Sequence, residues 1–498
     1  MHANLISFPF GRNRIMENQA RLPRTTPEAL GVSSSAIIGF LDAVREQQVE
    51  LHSFMLLRRG QVAAEGWWAP YRPEYPHMLF SLSKSFTSTA IGLAEAEGLL
   101  SVNDPVIGFF PNEVPDTVSD NLAAMEIRHL LMMGTGHAAD VTGSVQKDDN
   151  WVKGFLREPV EYAPGTHFAY NSAATYMLAA ILQQVTGQPL LAYLKPRLFA
   201  PLGLSEGTWE TCPRGIAAGG WGLNLTTEDI AKFGQLYLQR GEWEGEQILP
   251  AAWVEKATSF QISNDDGRAN DWTQGYGYQF WRSRHGAYRG DGAFGQYCIV
   301  MPEQEAVLAV TSGVADMQAV LDIVWDKLLP ALSGSSLEPE AAVQAELAGR
   351  LKDLRIDPSQ AEPSSPNEAK LEGRIYHLEA NELGLGTIAL RFTDQGAELV
   401  IGSDRFGDQA IRLGRGRWES SRVRIESLLQ GAEQRVEGSF TWKDSETLRI
   451  EMMHVQTPFT YAFECRLDGE ALELQFSANV AWEPGKVLKM TGHAAAIA

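Results

Sequence analysis

The sequence predicts an α+β protein: helices around an antiparallel sheet, then a small all-β barrel or sandwich. Two observations carry this. Between residues 27 and 332 helical and strand-like stretches alternate, and two apolar runs, Gln296–Met301 and Ala306–Thr311, are joined only by Pro302-Glu303-Gln304-Glu305. So short a joint returns the second strand antiparallel to the first. Beyond residue 371 the pattern is almost wholly β, with turn residues at even spacing. Asp357 to Asn367, rich in Pro and Ser, reads as a linker. The expected organisation is an extension (1–24), the α+β domain (25–335), a helix and linker (336–370) and the β-domain (371–498).

In chain order, Ser33 to Arg45 carries Ile37, Phe40, Leu41 and Val44 at helical spacing after a Ser-rich cap. Phe54–Leu57, a turn at Arg58-Arg59-Gly60, and Val62–Trp67 read as a hairpin. A helix follows Ser81 and stops near Gly98, a glycine suited to the position after a helix end. Ile127–Met133 begins another buried helix. Ala173–Val185 and Thr226–Leu238 show helical spacing, the second with Thr227 and Glu228 as start signals. Ser333–Leu337 is a loop, and Pro339–Leu354 a short helix with Pro339 near its first turn. Strands are expected at 388–392, 399–401, 423–425, 436–442, 448–452, 460–467 and 472–476.

Composition narrows the function. The 498-residue chain is 44% hydrophobic and 21% charged, with a formal net charge of −20. Such acidity argues against nucleic acid and anionic membrane as partners and leaves small-molecule substrates open. Cys212, Cys298 and Cys465 are too far apart for a disulfide framework or metal knuckle and read as buried apolar residues. The first 30 residues hold Arg12, Arg14, Arg21 and Arg24 but no long apolar stretch, so they do not read as a secretory signal, and a cytoplasmic location is expected. The ten histidines form no H-E-x-x-H cluster and no phosphate-binding glycine loop occurs, so neither metal nor cofactor is expected.

Three segments carry chemistry. In Ser81-Leu82-Ser83-Lys84 a serine precedes a lysine by three residues at the start of a helical run, which sets both on one face. The helix start favours developing negative charge, and a buried neutral lysine can serve as the serine's base. The pattern alone also fits an N-capped surface helix. In Pro164-Gly165-Thr166-His167-Phe168-Ala169-Tyr170-Asn171-Ser172, a buried Tyr170 beside a cationic lysine is expected to have a lowered pKa and to share proton transfer. In Arg289-Gly290-Asp291-Gly292-Ala293-Phe294-Gly295-Gln296, glycines at a strand start let a backbone or ligand come close. There an Ala293 N–H can join that of Ser81 in an oxyanion site, with Gly292 beside it.

Together these segments resemble the serine β-lactamase-like superfamily, class C branch. That group includes class C β-lactamases, DD-peptidases, family VIII esterases, D-aminopeptidases and 6-aminohexanoate-dimer hydrolase. Arg128 to His137 resembles its HLL…TG segment, and Gly219-Gly220-Trp221-Gly222-Leu223 through Gly234 its GG-then-helix segment. The resemblance covers roughly residues 25–332 and implies Ser81 as acyl-forming nucleophile, Lys84 as base partner and Tyr170 in proton transfer. Which of Lys84 and Tyr170 takes the first proton stays open.

Two departures stand out. The third position of the Tyr motif, often Asn, is Ser172, whose hydroxyl reaches less far. The Lys-Thr-Gly segment is replaced by Gly290-Asp291-Gly292, and an acid facing the site repels the carboxylate of a β-lactam. Asp291 would instead suit a substrate amine, or is simply a solvated loop residue. His137 and Asp140 are candidates for the pocket wall, as are Trp67, Trp68, Trp221 and Trp281. The reading is a serine hydrolase of esters or amides, including D-amino-acid peptides. Penicillin-binding, DD-carboxypeptidase-like or β-lactamase activity is the alternative, and a silent binding protein the rival of another class. A homo-oligomer is compatible with the sequence.

Overall fold

A computed structural model describes residues 21–332, 334–424 and 433–495. Arg12, Arg14, Ser333 and Ile425 lie outside the described residues. Among those described, no helix is long and apolar enough to cross a membrane.

A six-stranded antiparallel sheet forms the frame, in the order Gln61–Trp67, Leu51–Arg58, Ala306–Ser312, Gln296–Met301, Tyr288–Gly292, Trp281–Arg282. Side chains alternate between its faces, and both faces are apolar. Phe54, Leu56, Tyr297, Ile299, Leu308 and Val310 face one core with Ile37, Phe40 and Val44 of the Ser34–Glu46 helix. Met55, Leu57, Cys298, Val300, Val307 and Ala309 face the other, against the Thr227–Leu238 and Ser83–Ala96 helices. Two buried faces explain why these strands read as continuous apolar runs. The Thr227–Leu238 helix lies so close to the sheet that a Cβ on Gly234 would meet Val307 Cγ1 at 2.5 Å. Its cap is Thr226, paired reciprocally with Asp229, one residue before the start signals read from the sequence.

The second unit is a barrel. Ten strands between Ile375 and Ala494 form one sheet, and a parallel pairing of Gly407–Arg415 with Gln434–Trp442 closes nine of them. Glu419–Val423 is an added strand on Gln434–Trp442. Leu399, Ile411, Val436, Trp442, Leu448 and Ile450 fill the interior.

The strands at 375–378, 407–415 and 488–494 were not expected from the sequence. Gly407–Arg415 carries only Ile411 and Leu413 as large apolar residues, the rest being polar or small, so its alternation is faint. The helix after the loop runs Ala341–Lys352 with Glu340 at its cap, so Pro339 lies outside it.

Candidate active site

Phe80–Leu82 forms a tight turn that runs directly into the Ser83–Ala96 helix, so Ser81 sits one turn ahead of that helix. The neighbouring strand presses against this turn. A Cβ on Gly292 would meet Leu79 O at 2.0 Å, and one on Gly290 would meet Ser85 Oγ at 2.5 Å. The two glycines therefore let the strand approach the nucleophile segment. Gly292 acts as this spacer and does not line the cavity, contrary to its expected place in a binding site. Ala293 follows in the hairpin turn between Tyr288–Gly292 and Gln296–Met301 and does line it.

Lys84 is 1% exposed. Its Nζ lies 3.1 Å from Ser81 Oγ, 3.0 Å from Ser172 Oγ and 2.8 Å from Gly220 O. Among the described residues no carboxylate is paired with it. Burial lowers its pKa to about 7, with Asp140 and Asp291 opposing more weakly. A neutral amine here can donate to Gly220 O and Ser172 Oγ while its lone pair faces the serine proton. Ser172 thus reaches the lysine despite its short side chain, while Asn171 turns away to cap the Ser172–Thr186 helix. Gly220 was quoted in a motif, but its carbonyl was not foreseen as a lysine acceptor.

Tyr170 lines the cavity with Ser81 and stacks on Trp281 at 5.1 Å, and Lys84 Nζ stands 4.8 Å from its ring centre. Its pKa is pushed up, first by burial and then by Asp291, with the Ser81 hydroxyl pulling the other way. This reverses the lowered value expected from a cationic neighbour: burial of the phenol outweighs any such help.

Asp291 lines the cavity but is not a solvated loop residue. Its carboxylate lies 2.9 Å from Arg289 Nε, and both side chains are buried. Burial pushes its carboxyl up and Arg289 draws it back. Arg289 also donates to Asp271 O and Ser283 Oγ and lies over Trp272.

The cavity encloses about 910 Å³ and contains Ser81, Asp140, Tyr170, Ser172, Trp281, Asp291 and Ala293. Asp265, Asp266, Arg268, Trp272 and Trp482 on its wall were not anticipated. His137 is absent from the wall: it is fully buried, bonds Thr135 Oγ1 at 2.8 Å and packs on Phe155. Trp67, Trp68 and Trp221 lie in or against the cores, and Trp281 alone of the four tryptophans lines the cavity. Among the described residues no three His, Cys, Asp or Glu side chains are grouped as a metal would require.

The beta-lactamase family model matches residues 40–323, more than half of the chain. The chain belongs to the beta-lactamase family. By family and relatives it is a serine hydrolase. The 6-aminohexanoate-dimer hydrolase of Paenarthrobacter ureafaciens is 27% identical over 296 residues, which span 54% of this chain and 75% of that protein. Esterase EstB of Burkholderia gladioli is 26% identical over 36% of this chain and 53% of its own length. Among solved structures, a candidate 6-aminohexanoate-dimer hydrolase from Bacillus anthracis aligns with a TM-score of 0.50 at 21% identity, covering 67% of this chain and 89% of that one. That likeness concerns the fold. The family match ends before the barrel.

Proposed function

We propose that the protein hydrolyses esters or amides through an acyl-enzyme on Ser81. The observation that carries this is Lys84: a buried amine with a pKa near 7, at 3.1 Å from Ser81 Oγ. Neutral Lys84 takes the Ser81 proton as Oγ attacks the carbonyl. The carbonyl oxygen turns negative between the N–H groups of Ser81 and Ala293. Tyr170, kept protonated by its surroundings, passes its proton to the leaving group and recovers one from Lys84. Water attacks the acyl-enzyme in the reverse sense and releases the acid.

The cavity wall also bears on substrate class. Asp140, Asp265, Asp266 and Asp291 line it, against His167 and an Arg268 already paired with Asp266. That balance disfavours a substrate carboxylate beside Asp291 and favours neutral or amine-bearing esters and amides over β-lactams. A cytoplasmic location is part of the proposal, supported by three cysteines that are all free and buried.

Intact mass after fluorophosphonate treatment tests the reading. One adduct on the wild type, absent from Ser81→Ala, is expected. A folded wild type that takes no adduct would move the silent binding protein ahead.

A further inference from the structure

The barrel reaches the cavity through one side chain among the described residues. Trp482 lies in the loop between the Ala471–Ala478 and Leu488–Ala494 strands, and it lines the cavity together with Ser81 and Ala293. It is 70% exposed, the highest value among the exposed large hydrophobic residues described. So bare an indole in a cavity wall is an apolar surface awaiting a partner.

The ring is nevertheless held in place. It packs 5.1 Å from Phe294 and 6.0 Å from Phe80, the chain neighbours of Ala293 and Ser81. Both phenylalanines have left-handed backbones, with φ of 65° and 47°. Non-glycine residues keep such a conformation where packing enforces it. Here Phe80, Phe294 and Met78 close an apolar cluster with Phe459 and Val480 of the barrel. The start of the Trp482 loop is pinned by Asn479, whose Nδ2 donates to Glu50 Oε1 at 2.8 Å and whose Oδ1 accepts from Thr460 N. One barrel loop away, Met78 N donates to Gln456 O at 2.9 Å. The two units thus meet directly at the turn that carries the nucleophile.

We propose that Trp482 is a specificity-determining residue: its free face takes a large apolar group carried on the scissile carbonyl. The inference rests on Ser81 being the nucleophile. The Trp482 ring leans on both segments that would supply oxyanion N–H groups, so an arm attached to the carbonyl carbon leaves that point along the indole. Phe168, Trp272 and Met317 line the same cavity and extend its apolar surface. A methyl group is too short to use this wall, whereas a long alkyl or aryl arm covers it.

The test compares two fluorophosphonates, one with a methyl arm and one with a long alkyl arm, on the full chain. The labelling rate of Ser81 is read by intact mass for wild type, Trp482→Ala and Trp482→Phe, with Ser81→Ala as blank. In Trp482→Ala the long-to-short rate ratio is expected to fall about tenfold, the scale of a lost apolar pocket contact, and Trp482→Phe to retain most of it. An unchanged ratio overturns the proposal, including the case where both rates fall together, which marks a purely structural role. Absence of any wild-type adduct is a different result: it removes the proposed function and this inference with it.

Discussion

The cavity has two walls of opposite character. The inner wall holds Ser81, Tyr170 and Ser172, half-buried, and is backed by the buried Lys84 and the Gly220 carbonyl. The outer wall holds Asp140, Asp265, Asp266, Arg268 and Trp482, exposed side chains on loops, one of them from the barrel. There burial moves a lysine from its ordinary range to about 7, against the opposing charges of Asp140 and Asp291. On the outer wall water screens charge, and shape and apolar contact have more leverage. Chemistry belongs to the first wall and selection to the second.

Removing the amine breaks the comparison hardest. Lys84→Ala is expected to cut the fluorophosphonate labelling rate about 1,000-fold, within the range for loss of a general base. A loss below about tenfold would transfer the base role to Tyr170. For the wild type, the labelling rate should rise with pH through about 7 and then level off, because only neutral Lys84 accepts the proton. Tyr170, its pKa raised by burial, stays protonated across that window. The linkage to folding has the same sign: between about 7 and 10.5 the unfolded chain holds a proton on Lys84 that the folded chain has released, so this group's contribution to stability rises with pH.

Asp291→Asn probes whether the inner charges serve stability or turnover. The change leaves the buried Arg289 without its anionic partner, and a loss of about 3 kcal/mol in urea unfolding is expected. Intact stability would mean the pair is dispensable to the fold and Asp291 free to meet substrate.

Much of this contrast follows how each wall is written in the chain. Ser81 and Lys84 are three residues apart on one helical stretch, so a local pattern exposes them. The apolar strands at 296–301 and 306–312 were equally plain, because both their faces are buried. Asp291 was visible as a departure from the Lys-Thr-Gly pattern, but its pairing with Arg289 two positions back on the same strand was not read. The structure sets Tyr170 in the cavity beside Lys84 but moves its pKa up rather than down, since burial of the tyrosine cannot be seen in a motif. Trp482 left no trace at all: some 400 positions from Ser81, it shares that cavity only because the two units dock.

The smallest effect belongs to Asp140, where the walls touch electrically. This exposed carboxylate raises the Lys84 pKa, against the larger effect of burial. Asp140→Asn keeps the oxygen that accepts from Thr142 N and Thr142 Oγ1, so the loop geometry survives. Without the charge, Lys84 loses a partner for its protonated form, and the inflection in the labelling-rate profile should move to lower pH. Salt should produce a shift in the same direction in the wild type and a smaller one in Asp140→Asn, because the Asp140 contribution acts through solvent while that of the buried Asp291 is shielded from ions. The profile of each protein in low and high salt checks this. A wild-type inflection that ignores both the substitution and the salt would mean that Lys84 is set by burial alone, with the outer wall having no electrical part in the chemistry.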